Sequence, residues 1–197
     1  MYLDINILLS LSVQLYAIMD PVAAIPQFMR VLEDVEEDDV RSVVNKTAIA
    51  IFSLLTIFTL FGNYILSLFG ISISSLRVAG GVILMGVALD TLITGHKPSK
   101  VEVGEYIIVP LATPLIVGPG TMTLLIVSTG VYGVLTTLIA AYIAFVAVYI
   151  TLLLSPIILR LTGPTFVNGL GRFMSLIIAS FAVEMLVGGV RELLMIH

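Results

Sequence analysis

Asp20-Pro21-Val22-Ala23-Ala24-Ile25-Pro26 and Thr113-Pro114-Leu115-Ile116-Val117-Gly118-Pro119 are the two stretches on which the reading of this chain turns. Each holds two prolines five positions apart, and a shift of 93 residues lays Pro21 on Pro114 and Pro26 on Pro119. Proline removes a backbone donor and clashes with the turn before it. It also pushes the preceding residue away from helical angles. Two such residues in close succession predict a broken helix rather than a bent one, and Gly118-Pro119-Gly120 adds a further invitation to unwind.

What surrounds these breaks is apolar. Of 197 residues 59% are hydrophobic and 11% charged, against about a quarter charged in ordinary soluble domains. A membrane-crossing helix needs about 20 mostly apolar residues. Six stretches meet that length, at roughly 4–27, 45–69, 75–94, 106–129, 133–159 and 172–195. They are far longer than strands, and the alternation of a β-barrel is absent. The first lacks a basic leader region, carries Asp4 and runs into Asp20-Pro21, so it reads as a mature span and not as a signal peptide. The predicted fold class is an all-α membrane protein of six transmembrane helices, with helices 1 and 4 broken at their Pro/Gly segments.

Composition narrows the function classes. No cysteine is present, and the histidines are His96 and His197. That argues against a metal cluster, a cofactor site or a nucleophile–base pair, so neither metal, cofactor nor enzymatic activity is expected. The net charge of −4, with no basic patch, argues against nucleic acid as a partner. The acidic run Glu33-Asp34-Glu36-Glu37-Asp38-Asp39 lacks the ligand spacing and turn glycine of a calcium loop, and reads as a solvated linker.

Charge also orients the chain. Arg30, Arg41, Lys46, Lys97, Lys100, Arg160 and Arg172 fall on one side of the six spans, Arg77 and Arg191 on the other. Under the positive-inside rule the first side is cytoplasmic, which places both termini outside the cell membrane.

The chain divides near residue 97 into halves 1–97 and 98–197 of one membrane domain. Besides the proline segments, Asp90 recurs as Glu184 at an offset of 94, and Arg77 as Arg172 at 95. Three spans per copy force the second copy to enter the membrane from the opposite side. Inverted repeats of this kind are a common transporter plan, with the substrate held where the repeats meet. Gly80-Gly81 and Gly188-Gly189 allow close packing of helices, either within the chain, the favoured reading, or between copies in an oligomer.

The chemistry of a membrane-depth break follows from its unpaired backbone. Each exposed amide or carbonyl costs several kcal/mol in lipid, so a break must be buried in protein or line a wet cavity. The helix end after a break carries partial positive charge and suits a carboxylate; the end before it suits an ammonium or cation. Candidate substrate-binding residues are therefore Asp20, Pro21, Ala23, Ala24 and Pro26 at the first break, and Thr113, Pro114, Gly118, Pro119, Gly120 and Thr121 at the second. Asp20 has two readings: a cap on the helix that follows, or a ligand for an ammonium or coupling proton. Asp90 and Glu184 are further coupling candidates, with Glu184 expected to be buried and open to pairing with Arg172 or Arg191. The hydroxyls of Thr113, Thr121 and Thr123 can satisfy loosened backbone or bind solute. A passive channel or exporter for small solutes is the alternative reading.

Both broken segments also resemble the MarC family of integral membrane proteins. The family carries D/N-P-x-G-x-x-P-x-F in its first span and P-L-A-x-P-L-x-x-G-P-G in its fourth. Here these read Asp20 to Phe28 and Pro110-Leu111-Ala112-Thr113-Pro114-Leu115-Ile116-Val117-Gly118-Pro119-Gly120. Leu76-Arg77-Val78-Ala79-Gly80-Gly81 and Ala88-Leu89-Asp90 are similar to the family as well. Through its archaeal members, the resemblance implies a transporter of small neutral amino acids such as glycine and alanine, and more weakly coupling to H+ or Na+. Ala23 stands where the family has glycine, and its Cβ tightens the first break.

Overall fold

The structure, a computed structural model, describes residues 4–32, 40–95 and 116–195. They form helices α1 (Ile5–Met19), α2 (Pro21–Leu32), α3 (Val40–Phe69), α4 (Ile73–Thr94), α5 (Pro119–Tyr132) and α6 (Val134–Met195). Their ends follow local chemistry. The Asp4 carboxylate accepts from the Asn6 N–H at 2.9 Å, and the Ser72 hydroxyl from the Ser75 N–H at 3.0 Å, each filling an orphan donor of a first turn.

α6 is not one rod. Gly163 inside it has φ 77° and ψ 161°, a left-handed angle that suits glycine. Pro164 then opens the next helix with its ring already at a helical φ. The arms are 134–162 and 164–195.

Side-chain contacts fix the direction of each element. α3 runs against the first arm: Asn45 accepts from the Tyr149 hydroxyl at 2.8 Å, while Phe52 stacks on Tyr142 at 4.8 Å. α1 runs with that arm, since Leu9 and Ser12 share a groove with Ile143 and Ala144, and Tyr16 reaches Thr151 at 3.1 Å. Against the second arm α1 is antiparallel, because Gln14 shares a cavity with Glu184 while Ala23 packs at Gly171. The two arms therefore run in opposite directions, and Gly163 is a reversal of the chain.

Small residues set the tightest packing. α4 and the second arm are antiparallel. A Cβ on Gly81 would stand 2.9 Å from the Ala182 carbonyl oxygen, and one on Gly189 2.9 Å from that of Ser74. The glycine pairs thus serve internal contacts, as expected. α5 is antiparallel to α4 in turn: Gly120 meets Leu84, and Gly80 meets Thr123. α5 is deeply buried, with every residue from Thr123 to Thr129 inside the bundle. Its buried hydroxyls spend their hydrogen bonds on the preceding turn, Thr123 to the Pro119 carbonyl and Thr129 to that of Leu125, both at 2.8 Å. That back-bonding is how a polar residue is satisfied inside a helix bundle.

The outside is apolar. Phe61, Tyr64, Leu68 and Phe69 stand exposed on α3, as do Phe166, Phe173 and Leu176 on the second arm. Among the described residues, Ile5–Met29, Val40–Phe69, Ile73–Thr94 and Val134–Met195 are long and apolar enough to cross a membrane. The last has 62 residues, roughly three times the length one crossing needs.

Element boundaries shift from the sequence reading in two instructive places. The first span does not end near residue 27: after an interruption at Asp20 it continues as α2 to Leu32, past Phe28 and Met29. The last begins at 164 rather than 172, because Pro164 starts a helix that the apolar pattern alone does not mark. Residues 106–115 of the fourth expected span, and the acidic run, lie outside the described residues.

Candidate functional site

The first break is one residue wide. Asp20 takes φ 38° and ψ 64° and is the described non-glycine residue with positive φ. Aspartate is among the few side chains that visit this region. Its N–H still closes α1 by donating to the Tyr16 carbonyl at 2.9 Å. Its Oδ1 then accepts from the Ala23 N–H at 3.2 Å, capping α2. One residue thus ends one helix and starts the next while remaining 99% buried, with 1% exposure.

Contrary to the sequence expectation, Pro21–Pro26 is not unwound. Both prolines belong to α2. Pro21 sits in the first turn, where its missing N–H has no partner to lose. Pro26 lies inside the helix and withdraws one donor from the turn before it, and the helix tolerates that loss. Ala23 and Ala24 are fully buried. The Ala23 methyl faces the second arm, 3.2 Å from where a Cβ on Gly171 would be. Its surroundings are helix packing.

The second break ends at Gly118, which has the extended angles φ −80° and ψ −180° and caps α5 with no side-chain hydrogen bond. Pro119 is the first residue of the helix, and Met122 donates to the Gly118 carbonyl at 3.1 Å. Thr121 satisfies loosened backbone, its hydroxyl donating to the Ile116 carbonyl at 3.2 Å. Helix geometry leaves the N–H groups of the first turn without intrahelical partners, and Gly118 offers no side chain to cap them. Ile116, Val117, Gly120 and Thr121 are buried, while Pro119 is exposed. Thr113 and Pro114 lie outside the described residues.

The breaks are neighbours. A Cβ on Gly120 would stand 3.5 Å from Ile18 Cγ2 and 2.4 Å from Leu84 Cδ1. Ile18 precedes Asp20 by two positions, and Gly120 follows Gly118 by two. α1 with α2 and α5 therefore bring their interruptions to one level of the bundle, with Leu84 of α4 as the third wall. Leu84 and Gly171 carry no signal in the sequence: one is an ordinary helix leucine, and the other falls in the expected loop before the sixth span.

The other carboxylates lie away from this level. Asp90 is half-buried near the end of α4. Glu184 is exposed rather than buried, and pairs with neither Arg172 nor Arg191 among the described residues. The α4–second-arm register explains this. Arg172 lies by the other end of α4 and donates to the Ile93 carbonyl at 3.4 Å, a favourable place for a cation at a helix C-terminus. At the opposite end Arg77 pairs with Glu192, which also accepts from the Ser74 hydroxyl at 3.0 Å. Gly81 packs on Ala182 and Leu186, so Glu184 lies level with residues about nine positions from Asp90 on α4, roughly 13 Å along the axis.

The family model for MarC family integral membrane proteins matches residues 5–194. The chain belongs to the MarC family. A UPF0056 membrane protein of Methanocaldococcus jannaschii is 31% identical to this MarC chain over 92% of its length and 94% of the relative's. The UPF0056 membrane protein YvbG of Bacillus subtilis is 33% identical, over 91% and 92%. The UPF0056 inner membrane protein YhgN of Escherichia coli K12 is 31% identical, over 94% and 97%. No solved structure matches. The MarC assignment agrees with the apolar exterior, and makes the chain an integral membrane protein with several apolar helices.

Proposed function

We propose that this MarC protein is a secondary transporter of small neutral amino acids, glycine and alanine, working by alternating access around the two helix breaks. The observation that carries the reading is the meeting of those breaks, Ile18 against Gly120, deep in the bundle. The two sides offer opposite charge. The N-terminus of α5 has no side-chain cap, so its N–H groups and partial positive charge suit a carboxylate. The buried Asp20 carboxylate suits an ammonium, with Oδ1 already fixed by the Ala23 N–H. The close walls of Leu84 and Ile18 favour a solute with almost no side chain.

The proposed architecture is six crossings in two inverted repeats. Three antiparallel pairings support it, each joining elements that correspond between the halves: α1 with α5, α3 with the first arm, and α4 with the second arm. Arg41, Lys46, Arg160 and Arg172 gather at one end of these elements and Arg77 and Arg191 at the other, which favours both termini outside. Coupling to an H+ or Na+ gradient would fall to Asp20, Asp90 or Glu184.

Uptake of labelled glycine into vesicles holding the purified protein tests the proposal. The expected result is saturable uptake, competed by alanine and raised by one imposed ion gradient. Flux that never saturates would point to a channel, and no flux under any gradient would end the transporter reading.

A further inference from the structure

A cavity of about 220 Å³ opens near the end of the bundle where α4 begins and α5 finishes. At roughly 30 Å³ per water it has room for about seven waters, less than the ~300 Å³ at which drug-sized pockets start. Its floor is Ile18 and Leu124, the layer next to the two breaks. Its walls carry Arg77 from α4, Glu184 from the second arm, and the polar groups of Gln14, Ser128 and Tyr132.

The two charges are arranged by one helix face. Glu184, Gly188 and Glu192 are spaced four apart, so they form a single stripe along the second arm. Arg77 crosses that stripe at its middle. A Cβ on Gly188 would stand 3.6 Å from both Arg77 Cζ and Nη1, so the glycine lets the guanidinium lie against the helix. From there Arg77 pairs with Glu192 on one side and faces the cavity on the other. A guanidinium has five N–H donors, and a single carboxylate does not use them all. Glu184, one turn back, makes no hydrogen bond or ion pair among the described residues. A carboxylate in a span costs about 2.5–3.5 kcal/mol at mid-bilayer unless it faces protein or water, and the cavity is the open space beside it.

We propose that this cavity is a second solute site, a vestibule that takes a small zwitterion with its carboxylate on Arg77 and its ammonium on Glu184. A lone anion would meet Glu184 unpaired, and a lone cation would meet Arg77; a molecule with both charges a few bonds apart answers each. The site deepens the transport reading, on which its biological sense rests: solute arriving here lies directly above Ile18 and the breaks.

Equilibrium binding of labelled glycine to the purified protein, beside vesicle uptake, tests the assignment. Gly118→Val should abolish uptake yet leave glycine bound at the vestibule. Adding Glu184→Gln or Arg77→Gln to that variant should weaken the remaining binding at least tenfold, and Arg191→Gln, outside the cavity, should leave it unchanged. Glu184→Gln guards against misfolding, because it removes no hydrogen bond or ion pair among the described residues. Loss of all glycine binding in Gly118→Val alone, or undiminished binding in both double variants, would overturn the vestibule while leaving the transporter intact. Binding that depends on Glu184 and Arg77 in a protein that moves no glycine would instead sink transport and keep the vestibule.

Discussion

Ile18 of α1 and Gly120 of α5 touch across the centre of the bundle, with 3.5 Å between the isoleucine Cγ2 and the point where a glycine Cβ would stand. Leu84 is nearer still, at 2.4 Å from the same point. A side chain at 120 must therefore move Leu84 and press on the level where the two interruptions meet. Gly120→Val should still insert and fold, at a cost of about 1–3 kcal/mol for overpacking, and should lose glycine uptake. Normal uptake at normal abundance would remove Gly120 from the site.

Asp20 can be dissected by two substitutions. Asparagine keeps an oxygen for the Ala23 N–H and tolerates left-handed angles; alanine does neither. Thermal unfolding in detergent should show Asp20→Asn close to the parent and Asp20→Ala destabilised by roughly 1–3 kcal/mol. If the carboxylate binds the ammonium, Asp20→Asn loses transport despite its retained stability. Full transport in that variant would leave Asp20 with its capping role alone.

Two glycines of α4 make a matched pair. Nothing lies within 4 Å of a Cβ at Gly86, whereas at Gly81 one would meet the Ala182 carbonyl at 2.9 Å and Leu186 Cγ at 2.8 Å. Gly86→Ala should raise stability by about 0.5–1 kcal/mol, the usual gain from removing a helix glycine. Gly81→Ala should lower it by about 1–3 kcal/mol, because backbone cannot step aside as a side-chain tip can. Equal melting temperatures for the pair would contradict the close approach of α4 and the second arm.

The chain has no cysteine, which makes single-cysteine labelling clean. Thr162→Cys lies at the end with most of the basic residues, and Ser67→Cys at the other, both exposed. In intact cells an impermeant thiol reagent should modify the cysteine at 67 and spare that at 162. The reverse pattern would invert the proposed orientation.

Membrane class and most helix limits are legible in the sequence because lipid imposes a length and an apolar composition that few other settings require. The breaks are legible in position but not in form. Pro21 and Pro26 read as disruption, yet a proline in a first turn disrupts nothing, and the residue that breaks α1 is Asp20, whose left-handed angles no composition rule announces. Pairing is the least legible level. That Ala23 meets Gly171, or that Arg77 lies over Gly188 and reaches Glu192 rather than leaving an arginine for Glu184, depends on helix register, which one sequence does not contain.

A small amino acid held between the interrupted spans would shield a cysteine at Gly118, and protection of that cysteine tests the proposed site most directly. Gly118 has extended angles that any residue adopts, so Gly118→Cys leaves the backbone as it is. Glycine and alanine should slow alkylation of this cysteine in a saturable way, while a control cysteine at 162 reacts at one rate throughout. An unchanged alkylation rate at 118 in saturating glycine, in a protein that labels and is folded, would contradict a solute held between the breaks.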